Sequence, residues 1–292
     1  KHQMSGTLHI TSGDIAGGHL AKSGIEGEVF VWHDILYDGP RKPGWPDDAA
    51  LNERARFLEE FTGGGLERAH VLGVLKTQYG KIEGSALYDR IVLWFDGCLF
   101  DQSMLVHLLT CLTIRGARNV DLICAGSYPG IEPFHGLGQL RPDQFASLLD
   151  TLHRVSDEEF SFAALVDRAF VEQDEGLLSD LSKMTGTPLP FVPAAVARWM
   201  EEKPSPETGL GKLETLALAA MRSGCETPEE IFRFVAAADA PPQFWGDTTL
   251  WAKINGLSLR VPPLVRIEGP AVRLPQWESK TPLSEFRVRA LV

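Results

Sequence analysis

Three stretches of this chain are apolar almost without interruption: residues 28–34 (EVFVWHD), 90–96 (RIVLWFD) and 119–124 (NVDLIC). A strand with one wetted face alternates apolar and polar side chains, whereas a strand that is apolar throughout must be covered on both faces. A fourth short apolar run lies at 8–11. Helical patterns separate the runs: 15–23 stopped by Gly24, 48–61, 66–79, and 101–115 ended by Gly116. Strands alternating with helices predict a parallel sheet between two helical layers. Residues 4–155 therefore read as an α/β domain of Rossmann-like, three-layer type.

Beyond 155 the strand pattern stops. Ser156-Asp157-Glu158-Glu159 is a capping box opening a helix to about 173, and 176–183 and 192–202 continue helically. Residues 156–204 read as a helical connector, followed by a polar, Pro-rich linker at 201–209. The remainder, 205–292, has a different rhythm. Helices are expected at 213–223, at 228–238 behind Thr227 as N-cap with Pro228 at the first helical position, and at 247–257. Alternating strands are expected at 264–268 and 285–292. Three helices followed by a two-stranded ribbon is the order of a winged-helix-like domain; a small α+β interaction domain gives the same string.

Charge narrows the partners. The 292 residues carry 28 Lys+Arg against 39 Asp+Glu, a net −11. That excess argues against holding nucleic acid through a general positive field, and against anionic lipid. From Ser205 to Val292 there are 10 basic and 10 acidic residues, so the acid excess falls wholly before the last domain. The expected recognition helix offers one cation, Lys253, beside Thr248, Thr249 and Asn255. Basic residues of the ribbon (Arg260, Arg266, Arg273, Lys280, Arg287, Arg289) alternate with Glu268, Glu278 and Glu285. Nucleic acid is thus an unfavoured partner, and the C-terminal domain suits protein contact or homo-oligomer formation. No apolar run approaches the roughly 20 residues that span a bilayer. Lys1-His2-Gln3 precede Met4 and read as added residues, and 4–11 shows no basic-then-apolar leader. Cys98, Cys111, Cys124 and Cys225 lack CxxC spacing and read as free buried thiols, so the expected location is cytoplasmic.

Open parallel sheets bind ligands at the carboxyl ends of their strands, near the point where strand order reverses. Three such places carry polar residues. Ser12-Gly13-Asp14 with Gly17 and Gly18 stands between the first strand and its helix, where backbone N–H groups can hold an anion. The glycines fit neither GxGxxG nor a P-loop, and Asp14 alternatively serves as the helix N-cap. His33-Asp34 closes the second strand ahead of the Gly39-Pro40 turn; neighbours on a strand point to opposite faces, so one of the two at most faces a crevice. Asp96 ends the third strand, with Asp101 and Gln102 at the next helix start, Asp101 being also a possible cap. Ser127 follows the fourth strand, outside any GxSxG elbow. His9 in the first strand and Trp32 and Trp94 in the next two read as core. Asp14, Asp34 and Asp101 are the expected catalytic carboxylates. Ser12, Gly13, Gly17, His33, Gly39, Asp96, Gln102 and Ser127 are the expected ligand-binding residues. No zinc-type Cys/His cluster is present; the spread of Asp14, Asp34, Asp96 and Asp101 could also bind Mg²⁺, as a minor alternative to the ligand-binding reading.

These blocks resemble a bacterial family catalogued as a domain of unknown function, number 1835. The resemblance rests on His9-Ile10-Thr11-Ser12-Gly13-Asp14 with Gly18 and Leu20, on Asp34, Leu36, Gly39 and Pro40 after the second strand, and on Trp94, Asp101 and Gln102. The acid of that last pair is Glu in some members. The likeness covers about the first 125 residues and implies an α/β domain followed by a second domain, with no reaction attached. Three functional expectations follow. The first is a small polar or anionic ligand, such as a nucleotide or phosphorylated metabolite, bound and acted on by a hydrolase or transferase. The second is a ligand-sensing regulator whose last domain contacts DNA or protein. The third is a non-catalytic scaffold.

Overall fold

The computed structural model describes residues 6–63, 65–239, 246–275 and 281–291. Residues 4–5, Glu278, Lys280 and Val292, included in the segments above, lie outside the described residues.

Five strands form the main sheet: β1 (Thr7–Ser12), β2 (Glu28–Trp32), β3 (Arg90–Asp96), β4 (Val120–Ala125) and β5 (His153–Arg154), in the order β2-β1-β3-β4-β5. The first four are parallel and β5 is antiparallel to β4. The chain is thus mixed α/β with a mostly parallel sheet, compatible with the Rossmann-like expectation. Strand order reverses between β1 and β3, whose paired residues include Thr11 and Trp94.

The unbroken apolar runs have the cause inferred from them. On one face Leu8, Ile10, Ile91, Leu93 and Phe95 pack with the helices α2 (Asp48–Phe61), α3 (Arg68–Glu83) and α4 (Leu99–Ile114). On the other, Val92, Trp94 and Ile123 pack against α1 (Asp14–Ala21) and against Phe134, Leu137, Leu140 and Phe145 of an irregular segment with two 3₁₀ stretches. Neither that segment nor β5 has a recognisable pattern in the sequence. A two-residue strand has too few side chains to show alternation, and 3₁₀ turns have no long-period signature. The strand expected at 28–34 stops at Trp32, so His33 and Asp34 lie in the loop beyond it.

The stretch 156–204 holds α5 (Asp157–Glu172), α6 (Glu175–Lys183) and α7 (Val192–Met200). The Ser156 capping box is formed: Ser156 Oγ accepts from Glu159 N, and Ser156 N donates to Glu159 Oε2 at 2.8 Å. Phe160, Val166, Leu178 and Val196 share the core of the helical face of the sheet.

A second core gathers Leu218, Ile231, Trp251, Ile254, Phe286 and Val288. It is built by α8 (Lys212–Arg222), α9 (Pro228–Ala238), α10 (Asp247–Ser258) and an antiparallel ribbon of β6 (Val265–Glu268) and β7 (Arg287–Ala290). The helix–helix–helix–ribbon order is as the sequence suggests. Among the described residues no helix is long and apolar enough to cross a membrane.

The two cores meet through specific bonds. Tyr37 Oη and Thr249 Oγ1 lie 2.6 Å apart, and Trp199 Nε1 donates to Tyr37 O. Arg198 of α7 pairs with buried Asp239 at the end of α9 at 3.0 Å and with Glu202 at 2.6 Å.

Candidate functional site

At the reversal point a cavity of ≈ 660 Å³ opens between the carboxyl edge of the sheet and the C-terminal unit. Ser12, Gly13 and Asp14 line it from the end of β1, His33 from the end of β2, and Asp96 and Cys98 from the end of β3. The rest of the lining is His135 to Gln139, which pack beside Asp96 and α1, together with Phe232 of α9 and the first turn of α10.

The β1 corner depends on Gly13, whose φ of 74° falls where side chains are strained. It leaves α1 uncapped by any side chain, and the helix's first backbone bond is from Gly17 N to Gly13 O. The amides of Asp14, Ile15 and Ala16 consequently have no intrahelical acceptor, and all three residues line the cavity. Asp14 is the first residue of the helix rather than its cap. Its side chain is 83% exposed and its Oδ1 lies 2.7 Å from His33 Nε2.

Beneath this rim lies a buried carboxyl pair. Asp96 Oδ1 accepts from Cys98 N at 3.0 Å and Oδ2 from Leu137 N at 3.1 Å. Gly136 makes that second bond possible, because a Cβ there would collide with Asp96 Oδ2. Asp101 Oδ2 accepts from Asp96 N at 2.7 Å, and its Oδ1 accepts from Ser12 Oγ in a short bond. Burial pushes Asp96 above the usual carboxylate range. Burial, and then the Asp96 charge, push Asp101 well above it. Burial and both carboxylates also hold the Cys98 thiol high.

Asp96, Cys98 and Asp101 are the one group of three metal-type donors found together among the described residues, their atoms within 4.8 Å of one another. Each of the four carboxylate oxygens of Asp96 and Asp101 accepts a hydrogen bond within the protein, so the trio is knit into an internal network. Of the four carboxylates considered for Mg²⁺, Asp34 is held apart by Arg54, while Asp14 and Asp96 line the cavity and Asp101 lies behind them.

The strand-end residues divide accordingly. Ser12, Gly13, Asp14, His33 and Asp96 converge on the cavity wall. Asp101 stands one layer behind, touching Ser12, and is the third residue of α4, whose cap is Cys98. Gln102 is further in, its Nε2 donating to Asp96 O at 2.6 Å. Four others go elsewhere. Asp34 is buried beside Arg54, accepting from its Nε at 2.9 Å and Nη2 at 2.7 Å, so of the adjacent pair only His33 lines this cavity. A Cβ at Gly39 would strike Phe57, and one at Gly17 would strike Val31, so both glycines serve packing. Ser127 is exposed and outside the cavity. His9 is core: Trp94 Nε1 donates to its Nδ1 at 3.0 Å, which leaves Nε2 to donate to Glu26 O, and burial lowers its pKa.

Sequence reasoning missed the rest of the lining. His135 and Gln139 sit in an irregular segment, and Asp247, Thr248 and Thr249 come from a helix about 230 residues downstream of Ser12. Nothing local in the sequence couples these segments. His135 Nδ1 is a buried nitrogen with no partner among the described residues, the kind of orphan that marks an unfilled polar contact. No protein-family model matches this chain, and comparison with curated proteins returned no match.

Proposed function

We propose that the cleft between the sheet and α10 is a small-molecule site, and that the chain acts there on a polar ligand as a hydrolase or transferase. The observation carrying this reading is the convergence of Ser12, Gly13, Asp14, His33 and Asp96 on one cavity at the reversal of strand order. The free amides at the start of α1 supply donors for a ligand oxygen. Asp14 orients the His33 ring, which gives a base and its orienting carboxylate at hydrogen-bond distance. Ser12 is the hydroxyl nearest those amides in sequence, and Asp101 is a positioning residue that acts through it. Membership of the resembled family of unknown function belongs with this reading, since Gly13 and Asp14 line the cleft and Asp101 touches Ser12.

The test is a thermal-shift screen of the full chain with nucleotides, sugar phosphates, amines and carboxylic acids, repeated on Gly138→Trp. Gly138 is an exposed wall residue whose added Cβ meets only Ile15, so an indole there fills the cleft without straining the backbone. Hits that raise Tm and vanish in Gly138→Trp support the site. No hit, or hits indifferent to the tryptophan, overturn it.

A regulator reading draws support from the same cavity, because α9 and α10 of the C-terminal unit form part of its lining. DNA contact by α10 is disfavoured, since Thr248, Thr249 and Asn255 are all buried. A gel shift at low salt with random duplex decides that arm: retention of duplex would restore it.

A further inference from the structure

Resting on the cleft reading above, we propose that the ligand is cationic: an ammonium or amine joined to an apolar body, and not a phosphorylated compound. The lining residues include three carboxylates, Asp14, Asp96 and Asp247, and no Lys or Arg among those described. The groups on the wall able to carry positive charge are His33 and His135. Phosphate sites are normally built from Arg or Lys together with helix amides, and only the amides are present here. Two of the carboxylates come from different parts of the fold. Asp14 opens α1, with its side chain 83% exposed, and Asp247 opens α10 and is also exposed. A cation between them meets negative charge from both the sheet domain and the C-terminal unit.

The rest of the wall is apolar. Ile15 is 65% exposed at the rim, although a helix of an α/β domain ordinarily turns such a side chain inward. Phe100, Leu137 and Phe232 continue the same surface. Aromatic faces beside carboxylates are what an organic ammonium uses, through desolvation of its carbon body and cation–π attraction. The buried, unpartnered Nδ1 of His135 adds one polar contact for the ligand's own donor or acceptor.

Three probes of matched body separate the possibilities by calorimetric titration: 2-phenylethylammonium, 2-phenylethanol and phenyl phosphate. The ammonium is expected to bind about fivefold tighter than the alcohol, the scale of exposed ion pairs, and to lose that advantage as salt rises. The double variant Asp14→Asn/Asp247→Asn is expected to bind ammonium and alcohol equally, with the alcohol unchanged. Each single variant is expected to retain part of the difference, and circular dichroism checks that all three are folded. Phenyl phosphate binding tightest, or an ammonium advantage surviving the double variant, overturns the cationic assignment. If the alcohol or phosphate binds at least as tightly as the ammonium and Gly138→Trp abolishes that binding, the cleft reading stands while this one fails. If no probe binds, the cationic assignment fails, and the wider screen decides the cleft reading.

Discussion

Asp101 shows how much a single residue's surroundings alter its chemistry. On sequence it stands at a helix start, where a carboxylate caps amides or meets solvent. In the fold it is 2% exposed and shares its network with Asp96 and Ser12. Its carboxyl is held well above the usual range, so folding favours its protonated form. That contribution is complete below the ordinary carboxylate pKa of about 4 and is lost as pH rises through the raised value. Asp101→Asn is therefore expected to flatten the fall of stability with rising pH, measured by urea denaturation from pH 4 to 8; an unchanged slope refutes it. Asp167 behaves oppositely. Burial alone would raise it, but Arg41 at 2.6 Å and His107 nearby hold it at about 2. Its contribution is present above the ordinary carboxylate pKa and lost as pH falls toward 2. Asp167→Asn should cost about 3 kcal/mol at pH 7 and much less at pH 2.5, since it leaves Arg41 buried without its counter-charge. A loss equal at both pH values counts against this account.

At the scale of elements, helix ends were the most legible features because their signals are local. The Ser156 box forms as written, and Thr227 accepts from Glu230 N at 3.2 Å with Pro228 behind it. Ser156→Ala should lower stability by about 1 kcal/mol in a thermal or urea melt, with α5 otherwise intact. Helix α2 spans 48–61 and β3 spans 90–96, matching their patterns residue for residue. Other boundaries shifted where backbone bonds beyond the pattern decide. Helix α4 begins at Leu99, because Cys98 caps it and frees Asp101 to turn inward. The fate of Asp34 was illegible for a different reason. Its partner Arg54 lies 20 residues away on α2, and only the packed fold shows that the charge is neutralised rather than offered to a ligand.

For the whole molecule, the question is how two cores behave as one. Arg198 reaches from α7 to Asp239, whose side chain is fully buried and is also 3.0 Å from Lys212. Arg198→Met should cost about 3 kcal/mol and split a single calorimetric transition into two, because it loosens the bond between the cores while sparing each interior. One unsplit transition at lower Tm would mean that the cores are coupled chiefly by other contacts, such as Tyr37 with Thr249. The net −11 takes on a location at this scale: part of the acid excess borders the cleft at Asp14, while Asp247 brings an acid of the charge-balanced stretch 205–292 to the same space.

The cavity draws its walls from residues near 12, 33, 96, 135 and 248, so it exists only where segments far apart in the chain are packed together. Whatever fills it acts as mortar between two bricks. By mass action a filler at a hundred times its dissociation constant adds about 2.7 kcal/mol to the native state. That increment falls on the joint, so a protease probing linker residues 201–209 should cut the filled protein more slowly than the empty one.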